Sequence, residues 1–136
     1  MRKKGYIMTE SKLFTIEQAN KVLPLIRSIT ANIMETWEEI LKRKDEIRNI
    51  REQQELQEEL NYLIDKVNRY IKEVEELGCF VEEFKRGIIN FPSLFNGRRV
   101  LLSWYPQDER VGYFHELDET FRDRLVVNDG IFSVKV

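Results

Sequence analysis

Residues 87–105 read Gly-Ile-Ile-Asn-Phe-Pro-Ser-Leu-Phe-Asn-Gly-Arg-Arg-Val-Leu-Leu-Ser-Trp-Tyr, and the fold turns on this stretch. Asn96-Gly97 supplies two successive residues that tolerate positive φ, which a two-residue hairpin turn requires. The apolar runs on either side, Gly87 to Pro92 and Arg98 to Tyr105, therefore read as paired antiparallel strands. Pro106-Gln107-Asp108-Glu109 follows as a four-residue turn, and Arg110 to Leu117 as a third strand. Pro92 has no N–H to give to a ladder, so the first strand is expected to be an edge there.

Upstream of Gly78 the spacing is helical. Thr15 is an N-cap, Glu17 and Gln18 fall in the first turn, and Phe14 can staple the entry. Pro24 lies beyond that turn, so it should bend the helix or mark its effective start. Ile26, Ile33, Ile40 and Ile47 recur by sevens beside Val22, Ile29 and Trp37, a coiled-coil-like seam. The same phase continued meets Gln54, Asn61, Asn68 and Glu75, all polar. A second phase takes over through Leu56, Leu63, Tyr70 and Leu77, with Leu60, Val67 and Val74. The slip falls between Asn49 and Glu55 and predicts a reversal into an antiparallel helical hairpin ended by Leu77-Gly78. A bent continuous helix pairing with a second chain is the alternative. Residues 1–12 read as a flexible lead-in and the tail after about 118 as a short helix or irregular segment, with 126–136 able to add an edge strand. The expected fold is α+β: a long helical hairpin (13–78) packed on a three-stranded antiparallel meander (79–136), all one domain.

Composition narrows the function classes. The chain has 136 residues, 42% apolar and 34% charged, with 22 Lys and Arg against 24 Asp and Glu. One core of ordinary size fits that length. A net charge of −2 excludes a nucleic-acid grip built on bulk positive charge. One cysteine and one histidine exclude a disulfide framework and any zinc site with two thiolates. No apolar run approaches the roughly 20 residues that span a bilayer, and no signal-peptide core follows Met1-Arg2-Lys3-Lys4. The cytoplasm is the expected location, with no cofactor and no metal.

Strand pairing sorts the side chains. Phe95 opposite Arg98 puts Asn90 opposite Ser103; a four-residue second turn puts Ser103 opposite Gly112 and Arg99 opposite Glu116. Ile89, Phe91, Val100, Leu102, Trp104, Val111, Tyr113, His115 and Leu117 then share a core face. Asn90, Ser103 and Gly112 form a small polar centre on the other. His115 on a core face reads as a hydrogen-bonded packing residue; helped by Glu116 or Asp118 it would be a general base or metal ligand. Cys79 follows a helix C-terminus, which raises a thiol pKa, so burial is its expected role. Arg86, Arg98, Arg99 and Arg110 interleave with aromatic residues as on a base-stacking sheet, but Glu82, Glu83, Asp108 and Glu109 dilute that field.

Several motifs together resemble one family. They are Phe14-Thr15-Ile16-Glu17-Gln18-Ala19-Asn20 with Leu23-Pro24-Leu25, then Leu77-Gly78-Cys79, Gly87 to Pro92, Gly97-Arg98, Ser103-Trp104 and Phe114-His115-Glu116. In this order they are similar to the prokaryotic family called domain of unknown function 2203, over residues 14 to about 125. Its pattern has Gly-Leu-Val-Asp-Phe-Pro, Gly-Arg, Leu-Cys-Trp, Trp-His-Glu and a closing Gly-Phe-Ala-Gly-Arg. Arg98, Trp104, His115, Glu116 and Arg124 match. Asn90 stands for the aspartate, Ser103 for the cysteine and Phe114 for the tryptophan. The resemblance implies the architecture and brings no activity with it.

The expected role is a self-associating interaction or scaffold module, a homodimer through the helical seam or the second sheet face, with a protein partner possible and nucleic acid and membrane not expected. The alternative is a small-ligand or metal-dependent site on the meander, with Asn90, Arg98, Ser103, Trp104, His115, Glu116 and Arg124 as candidate binding residues and no catalytic residue identified.

Overall fold

The computed structural model describes residues 12–127. Helix α1 spans Ile16–Asp45 and α2 spans Ile50–Glu76. Thr15 opens α1 with a full capping box: its hydroxyl accepts from the Gln18 N–H, and the Gln18 side chain accepts from the Thr15 N–H. The helix runs on through Pro24, which is therefore neither its start nor its end. The reversal comes at residues 46–49, slightly before the polar window expected. Asn49 accounts for the difference. Its side chain caps α2 by accepting from the Glu52 N–H at 2.9 Å, so the polar residues after it form the first turns of the helix. Ile26, Ile29, Ile33 and Ile40 are buried, as are Leu60, Leu63, Val67 and Val74 of α2, so the seam closes within one chain. Gly78, at φ +99°, ends α2 in a Schellman arrangement: its N–H goes to Glu75 and that of Cys79 to Val74.

The sheet has five strands where three were expected. They are β1 (Phe80–Glu83), β2 (Ile88–Phe95), β3 (Arg98–Trp104), β4 (Tyr113–Glu116) and β5 (Leu125–Val126), antiparallel neighbours in chain order. Strand β1 escapes a period-two reading because Phe-Val-Glu-Glu does not alternate and carries a bulge between Val81 and Glu83. The first expected strand, β2, is thus covered by β1 over its first residues. At Pro92, however, the neighbour is the backbone of Phe14, whose N–H donates to the Pro92 carbonyl at 2.7 Å. The missing proline donor is accommodated where β1 has already ended. After β4 the chain makes a 3-10 turn at Phe121–Asp123 and enters β5. Residues 1–11, nearly all of the expected lead-in, and residues 128–136, most of the expected edge strand, lie outside the described residues.

Asn96 (φ 51°) and Gly97 (φ 82°) form the anticipated two-residue turn, and Asn90 pairs with Ser103. The second pairing differs by one residue. Ser103 faces Tyr113 rather than Gly112, and Val100, not Arg99, faces Glu116. The loop is longer than four residues because α1 holds it: Arg27 donates to the carbonyls of Pro106, Asp108 and Glu109, and Asn20 bonds the backbone of Val111. A one-residue slip turns every β4 side chain over. Phe114 and Glu116 therefore point to the helix side, while Tyr113 and His115 point outward, correcting the core-face assignment of His115. The main core gathers Phe14, Ile26, Ile33, Val74, Ile89, Phe91, Val100, Leu102, Trp104 and Phe114 between hairpin and sheet.

Candidate binding site

The outer face of the sheet, away from the hairpin, carries the polar groups. Asn90 and Ser103 sit side by side on the two central strands β2 and β3. His115 comes from β4, and Glu82 from the bulge of β1. At about 4.8 Å per strand interval, the β1 and β4 backbones stand roughly 14 Å apart. Yet Nε2 of His115 comes within 3.4 Å of Oε1 of Glu82. Two long side chains thus reach towards each other across two short ones.

Hydrogen bonds orient the group. His115 Nδ1 lies 2.8 Å from the Glu116 carbonyl, an acceptor, so Nδ1 carries a proton. Nε2 faces the Glu82 carboxylate. Glu82 Oε1 accepts from Asn90 Nδ2 at 2.8 Å, and Oε2 accepts from the Phe121 N–H at 3.0 Å. Asn90, Ser103 and His115 are at most 2% exposed. Asn90 Oδ1, Ser103 Oγ and His115 Nε2 all lack a hydrogen-bond partner.

The segment from Thr120 to Arg124 closes this face. Arg124 forms a two-pronged ion pair with Asp108, at 2.7 and 3.2 Å, and donates to the Ser103 carbonyl. Its guanidinium lies 4.0 Å from the Phe121 ring, 4.1 Å from Tyr113 and 5.2 Å from Tyr105. Salt bridge, cation–π contacts and the Glu82–Phe121 bond together strap the C-terminal turn over the cluster.

Of the seven candidate residues, the structure brings Asn90, Ser103, His115 and Arg124 to this face. The other three belong elsewhere. Trp104 is fully buried in the core, its Nε1–H donating to the Asp108 carbonyl and Arg27 stacked 5.0 Å from its ring. Arg98 and Glu116 form an ion pair at the rim on the helix side; the Arg98 hydrogen bonds hold the Glu116 carboxyl below the usual carboxylate range. Cys79 is buried, and desolvation pushes its thiol up to about 12. Glu82, Asp108, Tyr113 and Phe121 complete the face without having been singled out as site residues. The bulge that aims Glu82 and the long loop that places Asp108 have no signature in periodicity.

A helical hairpin laid on one face of an antiparallel meander, with a polar cluster strapped under the 120–124 turn on the other, defines the class: an α+β protein with a buried polar cluster on the outer side of its sheet. The family model described as Uncharacterized conserved protein (DUF2203) matches residues 12–127, and the chain belongs to that family. No curated protein and no solved structure matches the chain. No helix among the described residues is long and apolar enough to cross a membrane.

Proposed function

We propose that this chain is a small-ligand-binding protein whose site is the cluster of Glu82, Asn90, Ser103 and His115 beneath the 120–124 strap. One observation carries the reading. Among the described residues the buried side-chain polar atoms without partners are Thr30 Oγ1, Asn90 Oδ1, Ser103 Oγ and His115 Nε2, and three of these four share one patch. Each unsatisfied buried polar group costs about 1–3 kcal/mol, so three together on a single face favour a shared partner over three independent losses. Asn90 and Ser103 are also the two ladder partners at which the chain departs from the aspartate and cysteine of the family pattern. The proposal is of binding; it assigns no reaction.

The test is native mass spectrometry of protein purified without chelator or high salt, on the wild type and on Ser103→Ala, which removes the hydroxyl and adds no atom to a fully buried position. A reproducible adduct on the wild type that is weakened in Ser103→Ala supports the site. A wild type that carries no adduct under any gentle condition removes it.

Self-association is the second reading. The isoleucine seam is spent inside the chain, so support for a homodimer comes instead from Leu117, Leu125 and Val126, which are 57%, 63% and 67% exposed at the β5 end of the sheet. Light scattering across a concentration series distinguishes monomer from dimer directly.

A further inference from the structure

We infer that residues 120–124 are a gate that must lift for a ligand to reach the cluster, with the Arg124–Asp108 ion pair as its latch. The inference rests on the binding reading above and gives that site its entry route. Asn90, Ser103 and His115 are 2%, 0% and 1% exposed, so the closed form offers a solute no path to these side chains. The cover over them is built differently. No residue from 117 to 127 is itself buried. A segment that shields three buried groups while burying none of its own side chains has little apolar surface to hold it down. Such segments open at less cost than the fold as a whole.

Polar and aromatic contacts hold the gate shut. The Phe121 N–H donates to Glu82 Oε2 at 3.0 Å, and the Phe121 ring sits edge-on to Tyr105 with centroids 4.8 Å apart. Arg124 reaches both carboxylate oxygens of Asp108 and the Ser103 carbonyl. The two ends are anchored separately. Upstream is a turn in which the Glu116 N–H donates to Glu119 Oε1 and the Glu119 N–H to the Glu116 carbonyl. Downstream, β5 pairs with β4, and the Val127 N–H donates to the Gly112 carbonyl at 2.8 Å. With both anchors kept, residues 120–124 can lift as a loop. That motion breaks the Asp108 pair and the Glu82–Phe121 bond, yet leaves β2, β3 and β4 paired with one another. Glu82 joins cluster to gate, so opening also frees its Oε2 for a ligand donor.

Thiol labelling reads the gate, with Cys79, buried in the main core, as internal reference. The full chain carrying Ser103→Cys is treated with N-ethylmaleimide over a series of low urea concentrations, and peptide mass spectrometry follows both thiols. Without urea, position 103 should react at least about tenfold faster than Cys79, which waits for global unfolding. The rate at position 103 should be nearly flat in urea, because lifting one loop exposes little surface, while that of Cys79 climbs steeply. Adding Arg124→Lys should raise the rate at position 103 about tenfold or more, since an ammonium cannot make the two-pronged bond. Equal rates at the two thiols, or a rate at position 103 indifferent to Arg124→Lys, overturns the gate. Hydrogen exchange of the wild type covers the case in which Ser103→Cys does not fold. The amides of Phe121 and Asp123 should exchange at rates flat in urea, and those of β3 only through global unfolding. Gate amides that exchange as slowly as those of β3 overturn the proposal. An adduct weakened by Ser103→Ala without local opening keeps the binding site and removes the gate. Local opening without any adduct keeps the gate and removes the binding reading.

Discussion

The side chain of Asn20 on α1 makes both hydrogen bonds of a strand neighbour with one residue, Val111: Nδ2 donates to its carbonyl at 3.0 Å and Oδ1 accepts from its N–H at 2.7 Å. Val111 is fully buried, and this pairing sets how much chain is spent between β3 and β4. Asn20→Ala leaves both backbone groups without that partner and should cost about 2–3 kcal/mol in urea denaturation. Faster hydrogen exchange at the Val111 amide locates the loss; an unchanged amide would place it elsewhere.

Arg124 holds the strap. Its ion pair with Asp108 is mostly shielded, the two side chains being 13% and 11% exposed. Arg124→Leu removes one partner and leaves the other poorly solvated, an expected loss of about 3 kcal/mol. Arg124→Lys should recover little of it, since an ammonium cannot make the two-pronged bond or stack flat on Tyr113 and Phe121. Equal stability of wild type and Arg124→Lys would show that charge alone suffices.

Two glycines with similar backbone angles should respond unequally. At Gly97 (φ +82°) an added Cβ meets nothing within 4 Å, so Gly97→Ala carries only the left-handed penalty of about 1–2 kcal/mol. At Gly87 (φ +71°) it would lie 2.6 Å from Met34 Sδ and 2.7 Å from Thr30 Cγ2 on α1. Gly87→Ala adds overpacking of about 1–3 kcal/mol to the same strain. Thermal melts of the two variants should separate accordingly.

The Cys79 thiol, pushed up to about 12 by burial against an ordinary value of 9.0, should resist disulfide reagents at pH 8 while the protein is folded. The folded pKa is the higher one, so this group's contribution to stability is complete below about pH 9 and is lost as pH rises from there towards 12. Alkaline denaturation should be shallower in Cys79→Ala than in wild type. Identical profiles would remove the thiol as the cause.

Most of the fold was legible because it rests on local chemistry. Thr15 at the start of α1, the phase change after Ile47, Gly78 at a helix end and Asn96-Gly97 each constrain the backbone within a few residues; all appear where expected except the reversal, which comes a few residues early. The site was half legible. Asn90 opposite Ser103 follows from a turn of known length. The side on which His115 lies depends on the length of the next loop, and that length is set by Asn20 and Arg27, about eighty to ninety residues earlier in the chain. A contact of that range leaves no periodic trace. Glu82 was missed for a related reason: a bulge is a departure from alternation.

The hairpin carries two packing clusters in series. Near the sheet, Ile26, Ile33 and Val74 belong to the main core, whereas Ile40, Leu60, Leu63 and Val67 form a separate cluster towards the tip. Ile71 touches both, and the Trp37 ring meets Phe84 at 5.2 Å just past β1. Mechanically this is a cantilever. The clamped end is the sheet; the free arm, extending at about 1.5 Å per residue, has only its own small core to stiffen it. Ile71 and the Trp37–Phe84 contact join the arm to the clamped end. The arm can therefore loosen as a unit of its own while the strapped face at the other end of the molecule keeps its shape.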